Sequence, residues 1–335
     1  MRHAIRSFAA ALTVLALWPA SAQSPASTQA PEQTKRVGYV VYGPSGVRGH
    51  LLQAFLDGMR EQGYVEGRNL VIERSYAEGS AERLREGANA LAALKLDAIV
   101  TTCSPSTSAV KQATAGSGTP VVMAVVTDPV GQGLVTSLAR PGGNITGRSS
   151  QVEDTLPKMF DLFSAVLPKG ASIGVLYNVN NPAHPLLWER AQPAGRALDL
   201  KLVRIDVAGS KDFPAAFDNL VQQRLAAMLV LPDDGMTMNA RARLVELAAR
   251  QRVPAFYGVR EFVDQGGLMS YGENYASSYR ASAVYVAKVL AGAKPAELPV
   301  EQPTRFEFVV NLGAARALGL TIPSSLLLRA DDVVQ

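Results

Sequence analysis

Short hydrophobic runs rich in β-branched residues alternate with segments of helical periodicity along the chain from residue 36 onward. In the first helical segment Leu52, Phe55 and Met59 recur at the spacing of one helix face, and Gly63 follows as a stop signal. Strands that alternate with helices in this way indicate parallel sheets covered by helices on both faces. The pattern predicts strands at residues 37–42, 69–73, 98–102, 121–125, 172–177, 202–207, 227–231 and 255–257.

The strand and helix pattern occurs twice. Four local matches recur in order at separations of 129 to 136 residues: Val37-Gly38 with Ile173-Gly174, Leu96 with Leu225, Pro120 with Pro254, and Gly133-Leu134 with Gly267-Leu268. Solenoid repeats have periods of about 20 to 50 residues, so this separation indicates a duplicated domain. The predicted fold class is therefore α/β, with two similar doubly wound parallel-sheet lobes and a ligand cleft between them.

The loops that follow the strands are the predicted binding segments. Ligands of open α/β sheets bind beyond the carboxyl ends of the strands. In this chain those ends are followed by small polar residues, and free N–H groups at the helix starts suit a ligand carboxylate. The loops expected to face the cleft are residues 43–45, 102–106, 126–129, 178–181, 232–234 and 257–260.

The first 22 residues have the features of a secretory signal peptide. Arg2 and Arg6 precede an apolar run at residues 8–18, and Ala20-Ser21-Ala22 forms a small-residue cleavage pattern. The apolar run is shorter than the roughly 20 residues of a membrane span, so we expect removal of residues 1–22 and no membrane insertion afterwards. Residues 23–35, rich in Ser, Pro, Gln and Ala, are expected to form a disordered linker.

Cysteine usage refines the expected compartment. The single cysteine, Cys103, excludes an internal disulfide, and no cysteine follows the cleavage site to accept a lipid. These features predict a freely diffusing periplasmic protein that is not a lipoprotein. Because no histidine is placed by sequence to activate it, Cys103 is interpreted as a small buried hydrophobic residue rather than a nucleophile.

Composition and motifs exclude several classes of function. A hydrophobic content of 47% predicts a folded chain, and 33 Lys and Arg against 29 Asp and Glu, without a basic stripe, argue against nucleic-acid binding. The sequence contains no G-x-G-x-x-G after the first strand, and no Walker A, H-E-x-x-H, C-x-x-C or G-x-S-x-G motif. With three histidines in the whole chain, we expect no catalytic residues, no cofactor and no metal site.

Six stretches of the sequence carry a resemblance to a known family. They are residues 38–40 (GYV), 63–73 (GYVEGRNLVIE), 128–135 (DPVGQGLV), 138–147 (LARPGGNITG), 266–272 (GGLMSYG) and 318–323 (LGLTIP). These stretches resemble the ABC-transporter substrate-binding proteins, the family that includes the tryptophan-binding lipoproteins. The resemblance covers about residues 36–334. Many relatives carry an acylated cysteine, which this chain lacks, and its absence favours a soluble shuttle over a tethered protein.

The resemblance implies a type I periplasmic binding protein fold that closes on a small solute and delivers it to an ABC permease in the inner membrane. Three crossings between lobes then place residues 36–147 and 272–299 in the N-terminal lobe, and residues 148–271 and 300–335 in the C-terminal lobe. The implied ligand is a small carboxylate-bearing molecule, with an aromatic amino acid such as tryptophan first. Two alternatives stay open: a module that presents solute to a membrane signalling receptor, and a periplasmic enzyme on the same scaffold.

The candidate ligand-binding residues lie on the cleft-facing loops, and each has a structural alternative. Asp128 can accept a hydrogen bond from a ligand ammonium, or it can cap the following helix. The helix start at Ser104 and Ser106 can bind a carboxylate, or it can act only as an N-cap. Tyr257 or Tyr271 can stack on a ligand ring, or pack within its lobe. The full set is Tyr42, Ser45, Thr102, Ser104, Ser106, Thr127, Asp128, Asn178, Asn181, Asp233, Tyr257 and Tyr271.

Asp233 and Asp234 form the second lobe's counterpart of the Ser104 loop, through the 129-residue separation. A ligand contact by either carboxylate is one interpretation. Neighbouring carboxylates on a turn usually point apart, which argues against acid–base catalysis. The same choice between ligand contact and turn chemistry stays open for Asn178, Asn180, Asn181, Tyr42 and Ser45.

Overall fold

Two β-sheets covered by helices organise the chain. The computed structural model describes residues 34–46 and 49–335. The expected signal peptide at residues 1–22 and residues 23–33 of the expected linker lie outside the described residues. Within the described part of the chain, no helix has the length and apolar character needed to cross a membrane.

The first sheet is wholly parallel and belongs to the first lobe. Its strands are β1 (Lys35–Val41), β2 (Leu70–Tyr76), β3 (Ala98–Thr101), β4 (Val121–Val126) and β5 (Ile145–Ser149), joined by helices α1 (Gly49–Glu61), α2 (Ala81–Ala92) and α3 (Ser104–Thr114). The strand order is β2-β1-β3-β4-β5. β3 and β4 are buried along their whole length, as expected for parallel strands covered on both faces.

The second sheet is larger and mixed. Its strands are β6 (Ser172–Asn178), β7 (Lys201–Val207), β8 (Ala227–Val230), β9 (Ala255–Tyr257), β10 (Met269–Gly272), β11 (Glu307–Asn311) and β12 (Asp332–Val334). The order is β12-β11-β10-β9-β8-β6-β7, and only the β10–β11 pair is antiparallel. The remaining helices are α4 (Val152–Ser164), α5 (His184–Ala197), α6 (Phe213–Gln222), α7 (Gly235–Asn239), α8 (Arg241–Arg250), α9 (Tyr275–Leu290), α10 (Leu312–Leu318) and α11 (Ser324–Leu327), with 3-10 turns at Ser210–Asp212, Arg260–Gln265 and Pro295–Glu297.

Strand register confirms the duplication. Val37 of β1 pairs with Ala98 of β3, and Ile173 of β6 pairs with Ala227 of β8, so the two lobes match at the separations of 136 and 129 residues seen in the sequence. The β3–β4 and β8–β9 registers reproduce the separation of 134. The order β2-β1-β3-β4-β5 is thus repeated as β7-β6-β8-β9-β10. Two similar α/β lobes are present, as the sequence predicts.

The fourth internal match was wrong. Gly267-Leu268 directly precedes β10, whereas Gly133-Leu134 lies in an irregular segment well before β5, so the two pairs are not structurally equivalent. All eight predicted strands are present with ends shifted by at most a few residues, and β5, β10, β11 and β12 are not among those eight. β5 contains Gly147 with a φ of +126°, which interrupts any β-branched run.

The chain crosses between the two sheets three times. It passes from β5 into α4, from β10 into α9, and from residues near 300 into β11. The first and third crossings touch, because Arg148 forms a β-bridge with Glu301 and Thr146 Oγ1 donates to the Leu298 carbonyl at 2.7 Å. The division of the lobes at residues 147, 271 and 299 stays a prediction.

Helix α9 returns to the first lobe and packs on α1. The two helices approach so closely that a Cβ atom on Gly58 would lie 2.3 Å from the Arg280 carbonyl oxygen. In the second lobe, the rings of Phe163 and Phe256 stack at 4.8 Å, and both side chains are fully buried. These contacts hold the helices against the sheets, so the strand ends and their loops are fixed in position.

Candidate functional site

A hydrogen-bonded contact joins the two lobes at the carboxyl ends of their strands. Ser104, at the start of α3, donates through Oγ to Asp233 Oδ2 at 2.7 Å. The backbone N–H of Thr127, which follows β4, donates to the same oxygen at 2.9 Å. Asp233 follows β8 in the second lobe, so one carboxylate binds two loops of the first lobe. We call Ser104, Thr127, Gln132 and Asp233 the interlobe site.

Asp233 is held in an unusual way. Its residue is 3% exposed, its φ is +53°, and its second carboxylate oxygen, Oδ1, is buried without a hydrogen-bond partner. Burial raises the pKa of this carboxyl, and the hydrogen bonds from Ser104 and Thr127 act in the opposite direction. The unpaired oxygen is a hydrogen-bond acceptor on the carboxylate that joins the two lobes. Such a group suits a cationic donor on a ligand.

Two residues of this region were not singled out from the sequence. Gln132 donates through Nε2 to Ser104 Oγ at 2.9 Å and to the Thr127 carbonyl, and its Oε1 is buried without a partner. The hydroxyl of Tyr275, at the start of α9, accepts from the Asp233 N–H at 3.4 Å. No motif marks these side chains. Gln132 lies within a family-like stretch, and that was the one signal that pointed to it.

Other first-lobe candidates are engaged within their own lobe. Asp128 Oδ1 accepts from the Gly131 N–H at 2.8 Å within a turn, and because the described residues between β4 and β5 contain no helix, the expected capping of a following helix was wrong. Ser106 Oγ accepts from the N–H groups of Thr102 and Cys103, and it donates to the Cys103 carbonyl. The Thr102 hydroxyl donates to the Val40 carbonyl at 3.0 Å. Ligand contact by these three candidates stays a prediction.

The second-lobe asparagines position the Asp233 loop. Asn178 Nδ2 lies 3.2 Å from both carboxylate oxygens of Asp234, and Asp234 Oδ1 caps α7 through the Met236 N–H. Asn181 Nδ2 donates to the Asp233 carbonyl at 2.8 Å. Both asparagines also accept backbone N–H groups two residues ahead, as Asx turns do. Their observed contacts are therefore structural, and ligand contact stays a prediction.

The aromatic candidates lie in different surroundings. Tyr42 is nearly buried against α7: a Cβ atom added to Gly235 would lie 2.9 Å from the Cβ atom of Tyr42. Tyr257 is buried and stacks on Phe262 at 4.5 Å, so it packs within its lobe. Tyr271 lies 6.0 Å from the ring of Phe306. Ser45 is exposed in the turn after β1.

A small apolar pocket lies in the first lobe. It has a volume of about 180 Å³ and is lined by Tyr39, Val41, Leu52, Tyr76 and Thr102, with residues of the turn after β1. Thr102, which lines the pocket, lies two residues before Ser104 of the interlobe site. We call it the ring pocket, because its size and lining suit a planar aromatic group.

Further acidic groups surround the interlobe site. Burial raises the pKa of Glu153, at the start of α4, to about 7. Burial likewise raises the pKa of Glu273, which follows β10, to about 8. The charges of both groups interact with Asp233. Among residues 34–46 and 49–335, no three His, Cys, Asp or Glu side chains are grouped to hold a metal ion.

Comparison with known proteins gives one consistent result. A family model described as ABC transporter substrate binding protein matches residues 38–334. A tyrosine-binding protein of Clostridioides difficile is 26% identical over 269 residues, covering 80% of this chain and 76% of that protein.

Solved structures agree with this match. A conserved domain protein from Vibrio cholerae has a TM-score of 0.82 and 29% identity, covering 90% of this chain and 100% of that one. An ABC domain from Streptococcus pneumoniae in complex with L-Trp has a TM-score of 0.79 and 26% identity, covering 89% of this chain and 100% of that one.

Proposed function

Because the chain belongs to the ABC transporter substrate-binding protein family, we propose that it binds an aromatic amino acid at the interlobe site and presents it to the permease of an import system. The family match confirms the resemblance identified in the sequence, and the lobes have the type I periplasmic binding protein fold. The family also confirms that the chain is a solute-binding protein rather than an enzyme. Substrate-binding proteins of ABC transporters are typically extracytoplasmic, and we assign this one to the periplasm.

The observation that carries the proposal is the carboxylate already bound between the lobes. The Ser104 hydroxyl and the Thr127 N–H both donate to the carboxylate of Asp233. The same two donors match the carboxylate of an amino acid. In the bound state, the ligand carboxylate takes these donors, and Asp233 turns its charge toward the ligand ammonium.

This exchange differs from the role expected for Asp128. That carboxylate is occupied by the Gly131 N–H, whereas Asp233 is buried and has an unpaired oxygen. An ammonium beside Asp233 would favour its ionised form and offset the cost of its burial. We therefore propose that Asp233 binds the ligand ammonium and that Asp128 only stabilises its own turn.

The side chain of the ligand enters the ring pocket. Tyr39 and Tyr76 line this pocket, together with Thr102, which directly follows β3. Two relatives support an aromatic side chain, since one is named for tyrosine binding and the other was solved with L-Trp. Contacts from both lobes to one ligand favour the closed arrangement of the lobes. Hinge closure requires only that the ligand binds this closed arrangement more tightly than the open one.

The test is thermal melting with matched ligands, after unfolding and refolding to remove bound solute. The panel contains L-tryptophan, L-tyrosine and L-phenylalanine, with tryptamine and indole-3-propionate lacking one charged group each, and L-alanine lacking the ring. A ligand at 100 times its Kd adds about 2.7 kcal/mol of apparent stability, a shift of several degrees. We expect at least one aromatic amino acid to give this shift, and the three truncated molecules to give little.

Two isosteric variants separate the roles of the carboxylates. We expect Asp233→Asn to weaken binding of the aromatic amino acid at least about tenfold, because it removes the charge facing the ammonium. The affinity of this variant for indole-3-propionate, which has no ammonium, should equal that of the wild type. Asp128→Asn is the matched control and should bind as the wild type does. Equal losses in the two variants, or no shift with any aromatic amino acid, would refute the proposal.

A further inference from the structure

A second contact between the lobes joins the turn after β1 to helix α7. Tyr42 and Gly43 directly follow β1 of the first sheet, whereas Gly235 and Asn239 are the first and last residues of α7, which follows β8 of the second sheet. We call these four residues the seam. A Cβ atom on Gly43 would overlap the side chain of Asn239, so the two lobes are in direct contact here.

The backbones of the two lobes approach each other most closely where Gly235 meets Tyr42. A Cβ atom on Gly235 would lie 2.9 Å from the Cβ atom of Tyr42, and the three atoms nearest to it would all belong to the Tyr42 side chain. Because a Cβ atom is fixed to the backbone, no side-chain rotation relieves such an overlap. The absence of a side chain at residue 235 therefore allows the lobes to lie this close together.

The conformation of α7 does not itself require glycine at residue 235. Gly235 is the first residue of the helix, and its φ lies outside the positive range. Alanine stabilises a helix relative to glycine, because glycine has more backbone freedom in the unfolded chain. The second lobe alone would thus favour alanine here, and the physical reason for glycine is the contact with the first lobe.

The seam lies at a distance from the crossings between the lobes. In the first sheet, β3 and β4 separate β1 from β5, the strand that leads into the first crossing. Three strand spacings amount to about 14 Å. In the second sheet, β9 separates β8 from β10, which leads into the second crossing. A rotation about the crossings therefore changes the separation of the lobes more at the seam than beside β5 and β10.

The backbone connects Gly235 directly to the interlobe site. Asp233 lies two residues before Gly235, and its carboxylate accepts from Ser104 Oγ at 2.7 Å and from the Thr127 N–H at 2.9 Å. Optimal contacts between carbon atoms are about 3.5–4.0 Å, so a methyl group at residue 235 forces the seam apart by roughly 1 Å. The same displacement at Asp233 stretches the hydrogen bonds between the lobes beyond their ordinary range of about 2.5–3.2 Å.

We infer that Gly235 sets the angle at which the lobes close and is a positioning residue for the ligand, although it contributes no group that binds the ligand. This inference rests on the proposed function, in which both lobes bind one ligand in the closed arrangement. A ligand that needs contacts from both lobes loses affinity when closure is disfavoured. A methyl group at residue 235 disfavours closure through Tyr42 and leaves each lobe intact.

The experiment compares Gly235→Ala with the wild type by calorimetric titration with L-tryptophan and L-tyrosine after refolding. We expect the variant to bind at least about tenfold more weakly, while its urea midpoint is unchanged or raised. Gly116→Ala is the matched control, because its φ is also outside the positive range and its Cβ atom would meet no other atom within 4 Å. This control should bind as the wild type does. Wild-type affinity in Gly235→Ala would overturn the inference.

Tyr42→Gly tests whether the methyl group acts across the seam. This substitution removes the Cβ atom that the methyl group would meet. Adding Gly235→Ala to Tyr42→Gly should therefore weaken binding by less than about twofold, as a double-mutant cycle measures. A loss in the Tyr42→Gly background equal to that in the wild-type background would place the effect within the second lobe and would overturn the inference.

Small-angle X-ray scattering of the ligand-free proteins separates this inference from the proposed function. Gly235→Ala should have a larger radius of gyration than the wild type and Gly116→Ala, because the methyl group disfavours closure whatever the ligand is. Tyr42→Gly should have the same radius with and without Gly235→Ala. If the wild type binds neither amino acid, the proposed function fails, and the radii alone decide the inference: equal radii for Gly235→Ala and the wild type would then overturn it.

Discussion

Glu273 makes the stability of the protein depend on pH in a direction opposite to that of most carboxylates. Its side chain is buried where β10 leads into α9, and burial raises its pKa to about 8, although the Ser278 hydroxyl and the charge of Arg148 act in the opposite direction. In the unfolded chain a glutamate titrates near its ordinary pKa of about 4.5. Below about pH 4.5 Glu273 is protonated in both the folded and the unfolded state, so its titration does not reduce the free energy of unfolding there.

The magnitude follows from proton linkage. Between about pH 4.5 and pH 8 the unfolded state has lost the proton and the folded state retains it, so the free energy of unfolding falls by about 1.4 kcal/mol per pH unit. Over the whole interval the contribution lost is about 5 kcal/mol, and above pH 8 no further loss occurs. Asp233 and Glu153, whose pKa values are also raised by burial, add slopes of the same sign.

The assay compares the wild type with Glu273→Gln by urea unfolding from pH 5 to pH 9. Glutamine keeps an acceptor for Ser278 but does not ionise. We expect the variant to gain stability relative to the wild type as pH rises, with most of the change complete by about pH 8. Parallel pH profiles for the two proteins would refute the burial of an ionisable Glu273 at this point in the fold. Glu189→Gln serves as the exposed control.

Three further predictions concern other parts of the fold. Burial lowers the pKa of His184 to about 3, so the wild type loses stability as pH falls below about 6.5, the ordinary pKa of the unfolded chain. His184→Gln should not show this loss, and urea unfolding at pH 4 and pH 7 measures the difference between the two proteins. Gly58→Ala should cost about 1–3 kcal/mol, since its Cβ would lie 2.3 Å from the Arg280 carbonyl oxygen, and a lower urea midpoint would reveal it. Phe163→Ala should cost about 3–5 kcal/mol by removing the stack on Phe256; an unchanged midpoint would contradict this packing.

The duplicated fold could be predicted because its signals are local. β-branched runs, helical stripes and turn residues recur at fixed separations, and strand register reproduces three of them. The strands that were missed lie at or beyond the crossings between lobes. The antiparallel pair β10–β11 departs from the alternation of parallel strands and helices on which the prediction was based.

The site could be predicted only in part. The separation of 129 residues identified Asp233 as the counterpart of Ser104, and the structure brings these two residues into direct contact across the lobes. The choice between Asp128 and Asp233 as the ligand's carboxylate partner depends on which of them is buried and which is bound to its own turn. Those are tertiary facts. The same holds for Gln132 and Glu273, whose surroundings are built from segments far apart in the chain.

The most direct test of the central claim is a crystal structure of the refolded protein with L-tryptophan or L-tyrosine. The account predicts the amino acid between the lobes, with its carboxylate accepting from Ser104 Oγ and the Thr127 N–H, its ammonium on Asp233 and its ring in the ring pocket. A ligand bound elsewhere, with the Ser104–Asp233 hydrogen bond intact, would contradict it.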